Sequence, residues 1–303
     1  MSKKIKIDKI LNYIERLGEK YDYIGKKDLS VNGFSSLSNY KNGSLTWVKS
    51  KKNIPNSFDL SMIELAIVQE EVDLKIPNQI KCKNSKKVFF ALLDGLFVEC
   101  GNNSEPIGKG TYISPEVKIG KNVIIGNNCV IDGDIEIGDN TRIYHNVTII
   151  NRVRIGQNCD IESGVNIGHD GYAFTEDDKH EKTMIKHYGG VKIGSNVHIG
   201  GQCHIARGTI DDTIIGSGSK LDTFVHIAHN CNIGKNCAIL SGSVIMGSVI
   251  LEDNVQITSS IVLNQVKIER NSFIGAGTPI LKNVESDIII MELPTGIRKI
   301  KKV

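Results

Sequence analysis

Several features are scarce in this 303-residue sequence, and each scarcity removes a class of function. Aromatic residues make up only 6%, too few for the stacking platforms that hold single-stranded nucleic acid. The net charge is +3, too small to mark nucleic acid as a partner. No apolar run approaches the ~20 residues that a membrane-crossing helix needs. The opening "MSKKIKIDKI" carries charge without the apolar stretch of a secretory leader. Seven cysteines, an odd number, form no CxxC pair; this removes a zinc ribbon and suits reduced thiols in a cytoplasm. With 40% hydrophobic and 23% charged residues, a packed globular chain is expected.

What the sequence does have is a period of six. Ile113, Ile119, Ile125 and every sixth residue through Ile167 are isoleucine. The register resumes at Ile193, Ile199 and Ile205, and again from Ile215 through Leu221, Ile227 and Ile233 to Leu263. One residue is then dropped before Ile268, Ile274 and Ile280. Four residues after each aliphatic position the side chain is small or β-branched, as at Val123, Cys129, Thr141 and Val147. A six-residue period does not match the 3.6-residue stripe of a helix. It fits short strands joined by tight turns, three to a triangular coil, with stacked coils burying a column of isoleucines. The pattern resembles the left-handed parallel β-helix, and the hand comes from that resemblance. Cys129, Cys159, Cys203, Cys231 and Cys237 fall in the small inward slot, where cysteine acts as a core filler.

Residues 1–107 lack the period and read as a small α/β domain. "KIDKILNYIERLG" and "SKKVFFALLDGLF" have helical spacing, the second with Ser85 as N-cap, while "GSLTWVKS" and "IELAIVQEE" read as strands. Residues 108–285 form the β-helix, and residues 286–303 a tail with four basic residues, Arg298, Lys299, Lys301 and Lys302.

Two interruptions break the repeat. Residues 169–190 are too polar to enter a coil and must project as a loop. Between Ile205 and Ile215, ten residues replace six. In "VHIAHNCNIG", strand alternation turns His226 outward on a flat face, stacked over His204, and puts His229 at a corner. Eighteen residues on, one coil above His229, is Gly247; one coil below is Arg207. A corner imidazole under a glycine offers a base and an unblocked N–H, the parts acyl transfer needs. Two other classes stay open on the residues alone. Outward His204 and His226 suit a zinc hydratase if a neighbouring chain adds a ligand, although no acidic residue is placed to orient them. The solenoid also suits a non-catalytic binding module.

"RGTIDDTIIGSGSKLDTFVHIAHNCNIG" is similar to the segment around the catalytic histidine of the UDP-3-O-acylglucosamine N-acyltransferases. "IGHDGYAF" resembles that family's loop-opening segment, and "VNGFSSLSNYKNGSLTWV" its nucleotide-binding domain. The resemblance implies that a thioester donor, acyl-CoA or acyl carrier protein, acylates the amine of a nucleotide sugar in lipid A synthesis. No bound cofactor or metal is implied. A coenzyme A-dependent transfer of a short acyl group to a UDP- or dTDP-deoxyamino sugar is the alternative. The resemblance further implies a cytoplasmic homotrimer with sites between neighbouring β-helices. It makes His229 the general base and Gly247 the oxyanion donor. Asp170 and Tyr172, in the loop-opening segment, join the substrate site. Trp47 would stack on the base, with Ser50 and Asn53 where the family has Asn and Tyr. From the residues, Asp211 or Asp212 is a candidate to orient His229, and Asp222 and His226 face substrate or neighbour. A second family histidine falls near Gln265, and the family's C-terminal helices have no counterpart.

Overall fold

The computed structural model describes residues 4–97 and 105–291, so the basic tail residues Arg298, Lys299, Lys301 and Lys302 lie outside it. The chain divides into two compact units, Met1–Asn103 and Ser104–Val303.

The first unit is a mixed five-stranded sheet backed by two helices. The strands run Tyr21–Ile24, Gln79–Cys82, Leu65–Gln69, Ser44–Val48 and Gly33–Phe34 across the sheet. Only the pairing of Tyr21–Ile24 with Gln79–Cys82 is antiparallel. Helix α1, Ile7–Arg16, buries Ile7, Ile10 and Ile14, a three-then-four spacing that makes one apolar stripe. Helix α2, Ser85–Leu92, buries Val88, Phe89 and Leu92, and both helices share a core with Leu45, Leu65, Ile67 and Ile80. Ser85 is not the N-cap. That position is Asn84, with no capping side-chain bond, and the Ser85 hydroxyl instead joins Trp47 to Gln69. The strands Tyr21–Ile24 and Gln79–Cys82 escaped the sequence reading, being short and mixed with charge (Asp22, Lys81).

The second unit is a parallel β-helix whose strands line three flat faces. Successive coils pair at eighteen residues: Ile131 lies beside Ile149, Ile149 beside Ile167, and Ile227 beside Ile245. The two insertions leave the stacking intact, since Ile167 pairs with Ile205 and Ile205 with Ile227. One apolar column runs up the inside, including the five cysteines that the repeat places there. Burial pushes the Cys231 thiol up to about 12 and those of Cys203 and Cys237 to about 11, so none supplies a thiolate. The corners turn through a left-handed backbone that asparagine tolerates: Asn128, Asn146 and Asn158 all have φ 56°. The dropped residue falls earlier than the spacing suggests. Ile245 pairs with Val262, not Leu263, so the shortened step lies between Ile257 and Val262. Val262 is buried because the pairing, and not the residue's size, decides which position faces in.

Candidate active site

Each coil has three corners, and at two of them polar side chains stitch neighbouring coils together. After the Ile125 face, the backbone N–H of Lys109 donates to Asn127 Oδ1 (2.8 Å) and that of Asn127 to His145 Nδ1 (2.9 Å). After the Ile137 face, Lys121 N–H donates to Asp139 Oδ1 (2.7 Å) and Lys235 N–H to Asp253 Oδ1 (2.7 Å). The third corner, after the Ile131 face, stacks His169, Arg207, His229 and Gly247. None of these four accepts a corner N–H on its side chain among the described residues. Both interruptions leave the coil here, after Ile167 and after Ile205. The loop begins beside the corner and forms a hairpin of Phe174–Glu176 and Lys182–Met184.

The imidazole of His229 lies between two glycines. A side-chain carbon on Gly247 would stand 2.8 Å from Nε2, and one on Gly171, from the loop, 2.8 Å from Cδ2. Any larger residue at either place would push the ring aside or cover its Nε2. Gly247 N–H has no hydrogen-bond partner among the described residues. The other ring nitrogen, Nδ1, is 2.9 Å from Asn230 Oδ1. That same oxygen accepts from the N–H (3.1 Å) and the hydroxyl (2.8 Å) of Thr209, in the bulge. Thr209 N–H can only donate, which identifies the atom as the amide oxygen and assigns the proton to Nδ1. Nε2 is left bare, facing Gly247.

The ring opens onto a cleft of about 540 Å³ within the β-helix, lined among others by Asp170, Tyr172, His226, Met246 and Gln265. Of the residues singled out in the sequence, His229, Gly247, Asp170, Tyr172 and His226 therefore meet in one place. Asp170 is engaged on the protein itself: Oδ1 accepts from Arg207 Nε (2.6 Å) and Oδ2 from His187 N–H (3.2 Å), tying the loop to the corner. These bonds outweigh partial burial and hold its carboxyl below the usual range. Burial, first of all, lowers His204 and His226 below the ordinary imidazole value; their rings stack at 5.1 Å and 16°. Among the described residues no group of three or more His, Cys, Asp or Glu is placed to hold a metal ion.

Neither aspartate in the bulge orients His229. Asp212 accepts from Gly190 N–H and pairs with Arg152 and Lys192, while Asp211 is exposed and its carboxylate makes no hydrogen bond among the described residues. The orienting group is Asn230, one residue along, and its position beside the histidine was the available signal. Thr209 and His187 were also missed, because only the folded insertions bring them to the corner. Asp222 is outside the cleft: it stands at another corner, its carboxylate taking the N–H groups of Thr223 and Ser241. Trp47 lies in the first unit and lines a separate cleft of about 410 Å³ with Phe34, Lys49, Asn53 and Phe90. Its indole N–H donates to Ser85 (3.0 Å) and its ring stacks on Phe89. Ser50 does not line that cleft but donates to Asn53 Oδ1 (2.8 Å).

Comparison with known proteins gives concordant likenesses. The model described as bacterial transferase hexapeptide (six repeats) matches residues 134–169 and 212–247, and that of the hexapeptide repeat of succinyl-transferase matches 116–151. The UDP-3-O-acylglucosamine N-acyltransferase of Campylobacter lari is 35% identical over 290 residues, 92% of this chain and 91% of the relative. That of Delftia acidovorans is 31% identical over 131 residues, 37% of this chain and 39% of the relative. Among solved structures, the UDP-N-acetylglucosamine O-acyltransferase of Moraxella catarrhalis superposes with a TM-score of 0.57 at 25% identity, covering 63% of this chain and 72% of its own. The UDP-N-acetylglucosamine acyltransferase of Bacteroides fragilis does so with 0.53 at 30% identity, over 59% and 68%. With these neighbours the coil is a left-handed β-helix.

Proposed function

The chain belongs to the UDP-3-O-acylglucosamine N-acyltransferase family, and from that premise we propose that it moves an acyl group from a thioester to the amine of a nucleotide-linked amino sugar, with His229 as the base. The observation that carries the reading is the bare Nε2 of His229 against Gly247, whose N–H has no partner among the described residues, at the edge of a 540 Å³ cleft.

The amine attacks the thioester carbonyl, forming the C–N bond and a tetrahedral oxyanion. His229 Nε2 takes a proton from the amine while Nδ1–H stays on Asn230, which supports the imidazolium that forms. The Gly247 N–H donates to the oxyanion, and no side chain covers it. Collapse breaks the C–S bond, and the thiolate leaves with the proton that His229 held. The products are an amide and a free thiol.

We assign the nucleotide base to the cleft at Trp47, whose indole offers a flat apolar surface fixed by its bond to Ser85. The donor is an acyl group on coenzyme A or on acyl carrier protein. The working form is a homotrimer, supported by apolar side chains exposed on the two insertions: Tyr172 (75%), Tyr188 (74%) and Ile210 (79%). No helix among the described residues is long and apolar enough to cross a membrane. The six cysteines among the described residues are buried and free, which suits the reducing cytoplasm.

Thiol release measured with coenzyme A and carrier-protein thioesters, against a panel of UDP-amino sugars, tests the reading. Release that depends on the amino sugar and yields an amide supports it. Zinc in the purified protein with no thiol release would contradict it.

A further inference from the structure

One side chain at the corner has no place in the chemistry above. His187, near the end of the inserted loop, is fully buried, with its ring edge-to-face against His229 at 5.3 Å and 77°. Its Nδ1 is 3.1 Å from the carbonyl oxygen of Ile185. A carbonyl only accepts, so Nδ1 holds the ring proton and Nε2 carries a lone pair. Among the described residues that Nε2 has no hydrogen-bond partner. Both rings border Gly171: a side-chain carbon there would stand 3.0 Å from His187 Nε2 and 2.8 Å from His229 Cδ2. The unpartnered nitrogen thus lies on the ring that packs against His229, beside the same glycine that borders the His229 ring.

Buried acceptors are almost always matched, and an unmatched one in a native structure calls for a reason. Here the reason lies in the reaction. When His229 takes the amine proton, positive charge spreads over its ring, which packs against that of His187. A fixed lone pair in a dry site interacts far more strongly with that charge than with the neutral ring. The loop backbone that carries it is anchored by Asp170, which accepts His187 N–H and is itself held by Arg207. We propose that His187 is a positioning residue for the proposed base: its Nε2 stabilises the protonated form of His229 during acyl transfer. The inference rests on His229 being that base.

Two substitutions separate the lone pair from the bulk of the ring. Leucine fills similar space without an acceptor, and glutamine carries an oxygen to the reach of Nε2. His187→Leu keeps its melting temperature, because removal of the unmatched acceptor offsets the lost Nδ1–H bond to the Ile185 carbonyl. It also keeps both KM values, while kcat falls roughly tenfold. His187→Gln recovers most of that loss. In a His229→Ala background, His187→Leu changes the residual rate by less than about twofold, since its target is gone. Parental kcat in His187→Leu, equal loss in the leucine and glutamine variants, or a further tenfold loss in the His229→Ala background overturns the inference. Failure of the base assignment itself is recognised separately, by His229→Ala retaining parental turnover.

Discussion

At the corner of Lys121, Asp139, Lys235 and Asp253, backbone N–H groups are met by a side chain from the next coil. At the corner of Arg207, His229 and Gly247 the equivalent side chains accept no such N–H: Arg207 N–H goes to the His169 carbonyl, and Gly247 has no side chain to offer. Both corners come from the same six-residue period and bury the same aliphatic column. The difference is in what the polar side chains serve. In the stitched corners they satisfy the solenoid's own backbone. At the third, the imidazole points along the cleft, its partner is the neighbouring Asn230, and both insertions depart from the same place. A repeat protein gains a reactive site where a corner histidine and glycine are left out of the stitching and residues from outside the period close over them.

That contrast can be broken or sharpened. The largest effect is expected from His229→Ala, which lowers kcat by roughly 10²–10⁴ with little change in melting temperature. Near-parental turnover by the folded variant would end the assignment. Gly247→Ala places a carbon 2.8 Å from Nε2 and costs roughly 10² in kcat, because the displaced ring no longer meets the amine. Parental kcat there would mean that Nε2 is not the working atom. Asn230→Ala leaves the ring in place but frees its tautomer, so kcat falls roughly tenfold while acceptor KM is unchanged. A KM effect alone would make Asn230 a binding residue.

The smallest effect concerns the flat face beside the corner. Burial holds His204 and His226 below the ordinary imidazole value near 6.5. As pH falls through about 6.5, the unfolded chain takes up protons that the folded stack resists, so stability drops. Melts at pH 7.5 and 5.5 should show a smaller drop for His226→Leu than for the parent. Equal drops would mean that the stack does not titrate on unfolding.

Much of this was legible in the sequence because a strict period makes departures visible. Ile167 and Ile205 mark where the period stops, and both lie at the corner of His229. Counting eighteen residues placed Gly247 over His229, and the structure has them in contact. The count failed near Leu263, where a one-residue step shifts which side chain faces in without changing composition. Thr209 and His187 were hidden for a different reason. Their roles depend on how the bulge and the loop fold back, and no spacing reports that. The first unit has no period, and its short charged strands gave only a weak alternation.

The most direct test of the account sets His229→Ala beside Asp139→Ala, measuring kcat and thermal stability for both. Asp139 stitches Lys121 at the corner away from the site. The account predicts a crossed result: His229→Ala loses roughly 10²–10⁴ in kcat and keeps its stability, while Asp139→Ala keeps its kcat and loses about 1 kcal/mol. If the two variants lose activity in proportion to stability, the corners do not differ in role and the central claim fails.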